Sequence, residues 1–175
     1  MAQINIVSKE EAVSHVKSNQ RVFTQGAAMT PNVLISELSK RYLELQNVEI
    51  VQMHTEGHAA FTEAPHNTTF RINSCFVGKN VRGAVNTVNG DYIPVFLSEV
   101  HLLFKRNILP LDVAFIQVST PDKHGYCSLG TSVDVTLAAI ETAKLVIAQI
   151  NPNVPRTHGD GIIHVNQIDF AIEVD

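Results

Sequence analysis

Apolar positions follow two rhythms along this chain. Short continuous runs rich in Val, Ile and Phe read as strands buried on both faces, and stretches with three- and four-residue spacing read as amphipathic helices. Glu10–Ser18 predicts a short helix with Ser8 as its N-cap and Ala12, Val13 and Val16 as its apolar stripe. Arg21–Gln25 predicts a strand stopped by Gly26, and the loop GAAMTP follows. Pro31 suits the first turn of a helix capped by Thr30, in which Val33, Leu34, Leu38, Tyr42 and Leu45 share one side. Val48–Met53 predicts another buried strand. Strand, loop, helix and strand in that order make a βαβ unit with a parallel pair.

The middle of the chain is less regular. HTEGHAAFTEAPHNTT is a long polar excursion, and loops of that length are usually functional. Phe70–Val77 and Tyr92–Phe96 read as strands, with a turn signal at Asn89-Gly90 between them and a short helix at Ser98–Lys105 afterwards. The second half repeats the opening order. Asp112–Ser119 is a strand, TPDKHGYCSLG a loop, Val133–Lys144 a helix capped by Thr131 or Ser132, and Leu145–Asn151 a strand. A loop holding Pro152, Pro155, Gly159 and Gly161 leads to a last strand, IDFAIEV. The expected fold is α/β, an open and mostly parallel sheet covered by helices. Ligands in such sheets bind beyond the carboxyl ends of the strands. That directs attention to the loops after Gln25, Met53 and Ser119.

Composition narrows the class. At 175 residues the chain suits one domain, and 45% hydrophobic with 17% charged residues is globular rather than disordered. A net charge of −4 and the lack of a basic stripe argue against nucleic-acid binding. No apolar run approaches the ~20 residues that span a bilayer, and the N-terminus does not read as a signal peptide. A cytoplasmic protein without a membrane partner is expected. Cys75 and Cys127 are far apart and read as buried, reduced thiols. The last strand ends at the chain terminus and would leave an open sheet edge, which suggests part of a longer protein.

Candidate chemistry is sparse. His54 and His58 have the spacing of metal ligands on one helix face, but Gly57 disfavours a helix and HExxH is absent, so no metal is expected. No G-x-S-x-G elbow supports a serine triad, and neither G-x-G-x-x-G nor a Walker A loop is present. The small-residue loop at Gly26, Ala27 and Ala28 could offer backbone N–H groups to an anion or an oxyanion. The segment from Ser119 to Gly130 is the most distinctive, with Pro121, Asp122 and Gly125 shaping a turn.

That segment, within DVAFIQVSTPDKHGYCSLGTSVD, resembles the acetyl-CoA hydrolase/transferase family, which includes 4-hydroxybutyrate, acetate and succinate CoA-transferases. RVFTQGAAMTP, NVRGAVNTVNGDYIPVFLSEV and AKLVIAQINPNVPRTHGDGIIHVNQID agree in the right order. The resemblance implies the N-terminal domain, residues 1–175, of a protein about twice as long. It implies coenzyme A as a substrate, and acyl-CoA, short-chain carboxylates and the C-terminal half as partners. It also implies a homo-oligomer. The nucleophilic Glu would lie in the C-terminal half, so no catalytic residue is assigned here, and Glu56, Glu63 and Glu99 read as solvated or structural. By loop position and resemblance, the expected substrate-binding residues are Gln25, Gly26 and Ala27, then Met53, His54, Thr55 and Gly57. Tyr126 and Gly130 are added more weakly. The alternatives are a thioester hydrolase of the same family and a non-catalytic α/β subunit module.

Overall fold

The computed structural model describes residues 4–175. Nine strands and five α-helices are present: α1 (Lys9–Ser14), β1 (Arg21–Thr24), α2 (Asn32–Ser39), β2 (Val48–Gln52), β3 (Phe70–Ser74), α3 (Arg82–Val85), β4 (Gly90–Tyr92), α4 (Val100–Lys105), β5 (Val113–Val118), β6 (Tyr126–Ser128), α5 (Thr136–Thr142), β7 (Leu145–Ile150), β8 (Ile162–His164) and β9 (Phe170–Glu173). Seven strands form one sheet in the order β4-β3-β2-β1-β5-β7-β9, parallel throughout. The expected open parallel sheet is therefore present. Among the described residues no helix is long and apolar enough to cross a membrane.

Alternation along each strand supplies both faces. Val22, Ile50, Ile72, Phe115 and Ile147 join Leu34 and Leu38 of α2 in one core. Phe23, Val51, Ala114, Ile116 and Ala148 join Phe104 of α4 and Ala138 and Ala139 of α5 in the other. Every residue of β5 is buried, as a central strand covered on both sides requires.

Several local expectations are corrected. Ser8 does cap α1, accepting the Glu11 N–H at 3.1 Å. Thr30 does not cap α2: its hydroxyl donates to the Ala27 carbonyl at 2.7 Å and accepts the Glu56 N–H at 3.0 Å. Pro31 sits at the cap itself, and the Val33 N–H is taken by Oε1 of Gln149, 116 residues away, at 3.1 Å. Helix α2 ends at Ser39, and a 3₁₀ turn carries the chain on to Leu43. Neither Thr131 nor Ser132 caps α5, which begins only at Thr136 with Val135 at its cap and no side-chain cap bond.

The chain does turn at Asn89, but the strands on either side of it do not form a hairpin. Strand β4 begins at Gly90 and runs parallel to β3, with α3 between them. A side chain at Gly90 would collide with Ile72 and come within 2.9 Å of the Ala84 carbonyl, so glycine there permits close packing. The strand stops at Tyr92 rather than running to Phe96. The loop after β5 contains β6, which pairs antiparallel with β8 in a separate ribbon. The outer edge of β9 is not open either: Ala171 exchanges hydrogen bonds with Asn5 and Val7, both 2.9 Å.

At the amino end of the sheet, Asp112 joins three strands. It accepts the Arg21 N–H at the start of β1 and the Lys144 ammonium just before β7, each at 2.8 Å. Burial pushes its pKa up, but the Lys144 and Arg21 hydrogen bonds outweigh that, and the net pKa is lowered. A lowered folded-state pKa gives stability above the ordinary carboxylate range that is lost as pH falls through the folded value. Asp112→Asn should therefore be less stable than the parent at neutral pH, with the gap closing in acid. Urea denaturation at several pH values checks this; a gap that stays constant with pH would refute it.

Candidate functional site

Beyond the carboxyl ends of β1 and β2 the two chain segments fasten to each other. The Ala27 N–H donates to the His54 carbonyl at 2.9 Å, and Ala27 bridges to Thr55 in parallel. Ala27 holds φ +49, a left-handed conformation uncommon for a residue with a Cβ. Gly26 is buried in this junction, and a Cβ there would collide with the His54 carbonyl oxygen. The N–H groups of Gly26 and Ala28 have no acceptor among the described residues. Gly26 is buried and Ala28 is exposed, so the Gly26 N–H is the buried donor, and such a donor without a protein acceptor suits a bound oxygen.

The predicted residues divide into those that face this junction and those that build it. Gln25 is fully buried and its carboxamide is already engaged. Nε2 donates to the carbonyls of Leu129 at 3.2 Å and Ser132 at 2.9 Å, and Oε1 accepts the Gln117 N–H at 2.8 Å. Met53 is 3% exposed and packs into the core on the α4 side. Thr55 is also buried, donating to Oε1 of Gln52 at 2.6 Å. Gly57 holds φ +93 against the Asn32 side chain, and its carbonyl accepts Nδ2 of Asn80 at 3.3 Å. Gly26, Ala27 and His54 remain partly open or unpaired at the surface of the junction. The His54 ring lies 6.4 Å from that of Phe76, which is half exposed.

Gly130 reaches the same place and Tyr126 does not. Gly130 holds φ +67, and a Cβ there would lie 2.5 Å from Sδ of Met29, in the loop after β1. Tyr126 lies out on β6, stacked edge-on against His164 at 5.0 Å. The two thiols are buried, and burial pushes the pKa of each up to about 11 (Asp122 raises that of Cys127 further, and Arg156 opposes). Neither is a nucleophile at neutral pH. Among the described residues no three His, Cys, Asp or Glu side chains converge as a metal site, and His58 faces Glu63 at 3.4 Å.

Asp134 was missed by the sequence reading. It lies just before α5 at φ +32, and its Oδ2 would be 3.6 Å from a Cβ on Gly26. The only sequence signal was an Asp ahead of a helix, which ordinarily means a cap. Because Gln25 is a brace, Gln25→Leu should strip two buried backbone groups and one partly buried one of their partners. The expected loss is about 2–4 kcal/mol of unfolding free energy by urea denaturation. An unchanged midpoint would show that its carboxamide is free for another role.

Comparisons with known proteins show the family. The family model for the acetyl-CoA hydrolase/transferase N-terminal domain matches residues 3–175. A 4-hydroxybutyrate coenzyme A transferase of Clostridium kluyveri is 46% identical over 96% of this chain and 39% of its own length. A succinyl-CoA:acetate/propanoyl-CoA:succinate CoA transferase of Fasciola hepatica is 44% identical over 91% of this chain and 33% of its own length. The crystal structure of a 4-hydroxybutyrate CoA-transferase from Porphyromonas gingivalis superposes with a TM-score of 0.82 at 30% identity, covering 98% of this chain and 39% of that one. RipA from Yersinia pestis gives a TM-score of 0.90 at 24% identity over 97% of this chain and 42% of its own, a likeness of fold alone. The chain thus spans about two fifths or less of the length of these relatives. By its sequence over residues 3–175 and by its parallel sheet, this chain belongs to the acetyl-CoA hydrolase/transferase family and corresponds to its N-terminal domain.

Proposed function

We propose that this chain is the N-terminal half of an acyl-CoA:carboxylate CoA-transferase. The observation that carries this reading is the 46% identity with a named CoA-transferase across 96% of the chain. The junction of Gly26, Ala27 and His54 at the carboxyl ends of the central strands supports it, since that is where parallel sheets hold ligands. The substrates are coenzyme A thioesters and short-chain carboxylates.

In this reading a Glu carboxylate outside the chain attacks the thioester carbonyl and expels CoA thiolate, leaving an acyl-glutamyl anhydride. The thiolate then attacks the glutamyl carbonyl, releases the first carboxylate and leaves a glutamyl-CoA thioester. A second carboxylate reverses both steps. The residues of this chain form one wall of the cleft. The unpaired N–H groups of Gly26 and Ala28 are donors for a developing oxyanion, where one such donor is worth about 3–4 kcal/mol. Closure against the other half keeps water from the anhydride.

The family description also covers hydrolysis, and the acceptor acid separates the two activities. The full-length protein should turn over acyl-CoA rapidly only with a carboxylate present, and mass spectrometry of the enzyme held with acyl-CoA alone should find CoA attached outside residues 1–175. Turnover independent of acceptor would mean a hydrolase, and no turnover under either condition would favour a non-catalytic module. Gly26→Ala should push against the His54 carbonyl and lower kcat/KM by about a hundredfold, in the range seen when an oxyanion donor is lost. Unchanged kinetics would remove Gly26 from the site.

A further inference from the structure

Two neighbouring loops at the carboxyl end of the sheet hold large apolar side chains that this chain leaves uncovered. Of the eight phenylalanines, five are buried and Phe170 is half-buried, whereas Phe76 is 52% and Phe96 77% exposed. Phe76 follows β3, and Phe96 follows β4, the next strand of the sheet. The loops leave the sheet side by side, with the Ile93 N–H donating to the Ser74 carbonyl at 2.9 Å. After β4 the chain alternates. Ile93 and Val95 turn inward onto the core that holds Phe104, while Tyr92, Pro94 and Phe96 are exposed and Leu97 extends the exposed side. A segment with a core on one side and water on the other ordinarily turns polar residues outward. Here the outward residues are apolar, and Tyr92, Pro94, Val95, Phe96 and Glu99 line a groove of about 480 Å³. Clustered apolar exposure of this kind marks a surface that another surface covers.

The position of the groove identifies the occupant. The chain matches an N-terminal domain and covers 39% and 33% of two relatives, so most of each relative lies beyond the matched part. In the CoA-transferase reading the nucleophilic carboxylate belongs to that remainder and has to reach the junction of Gly26, Ala27 and His54. The His54 ring is 6.4 Å from that of Phe76, so a domain seated over the junction also lies against the loops after β3 and β4. We propose that the exposed face of Phe76, Tyr92, Phe96 and Leu97 is the docking surface for the C-terminal half of the same protein. The inference rests on the CoA-transferase reading for where that half sits. Because the two halves are one chain, docking is intramolecular, and a modest apolar face is enough to hold them together. A second copy of the chain is the competing occupant, and nothing requires a second copy to lie beside His54.

Photocrosslinking of the full-length protein tests this. The photoreactive residue p-benzoylphenylalanine replaces Phe96 in one preparation and Val88, exposed at the amino end of β4, in another. After irradiation, the size of the product separates links within one chain from links between chains, and mass spectrometry locates the linked peptide. The expected result is a link within one chain from position 96 to a peptide beyond residue 175, which position 88 does not give. A link between two chains would assign the face to a second copy. Failure of position 96 to link beyond residue 175 would leave the face in water, and equal yields from positions 96 and 88 would mean unselective capture. Each of these three results overturns the inference. Acyl-CoA turnover by the parent protein with acetate is assayed in parallel. The expected link in a protein without turnover would support the docking surface while overturning the CoA-transferase reading.

Discussion

The carboxamide of Gln25 ties three distant segments at one point inside the protein. It takes the N–H of Gln117 in the neighbouring strand and gives its own two hydrogens to the carbonyls of Leu129 and Ser132. All of these groups would otherwise need water that the packed interior does not admit. The consequence is positional. The Leu129–Ser132 backbone is drawn against the end of β1, which sets Gly130 on Met29 and brings Asp134 over Gly26. The placement of these loops therefore depends on an internal brace.

A parallel sheet covered on both faces leaves its two ends for polar chemistry, and this protein uses them differently. At the amino end, charges pair off: Asp112 takes the Lys144 ammonium as well as the Arg21 backbone N–H, and the Arg21 guanidinium pairs with Glu49 at 2.7 Å. At the carboxyl end, paired amides and hydroxyls hold the loops while a few groups stay unpaired. Gln149 and Gln117 join at 2.5 Å, and Gln52 links Thr55 to Ser74.

Much of the architecture was legible in the residues. Apolar runs at Val48–Met53, Asp112–Ser119 and Leu145–Asn151 marked strands to within two residues, because burial on both faces leaves few choices of side chain. The loop after Gln25 was identified as a site region, and it carries the unpaired N–H groups. Gln25, Met53 and Thr55 were placed among the binding residues because they flank that loop, but their side chains are buried in bracing or packing. Position along a loop does not reveal which way a side chain points. Strands β6 and β8 were missed because three-residue strands carry no measurable period.

Sequence by itself determined the parallel α/β class, pointed to the strand ends where the candidate site is sought, and carried the resemblance to a CoA-transferase half. Each is written in local periodicity or in contiguous motifs. Tertiary structure alone decided that Gln149 caps α2 from 116 residues away, that Gln25 reaches Gln117 from 92 away, and that Asp134 faces Gly26. Those partners meet through the stacking order and register of the sheet, which no short window of sequence contains. The physical reason is that burial constrains each residue one at a time, whereas a hydrogen bond needs two particular residues at one place.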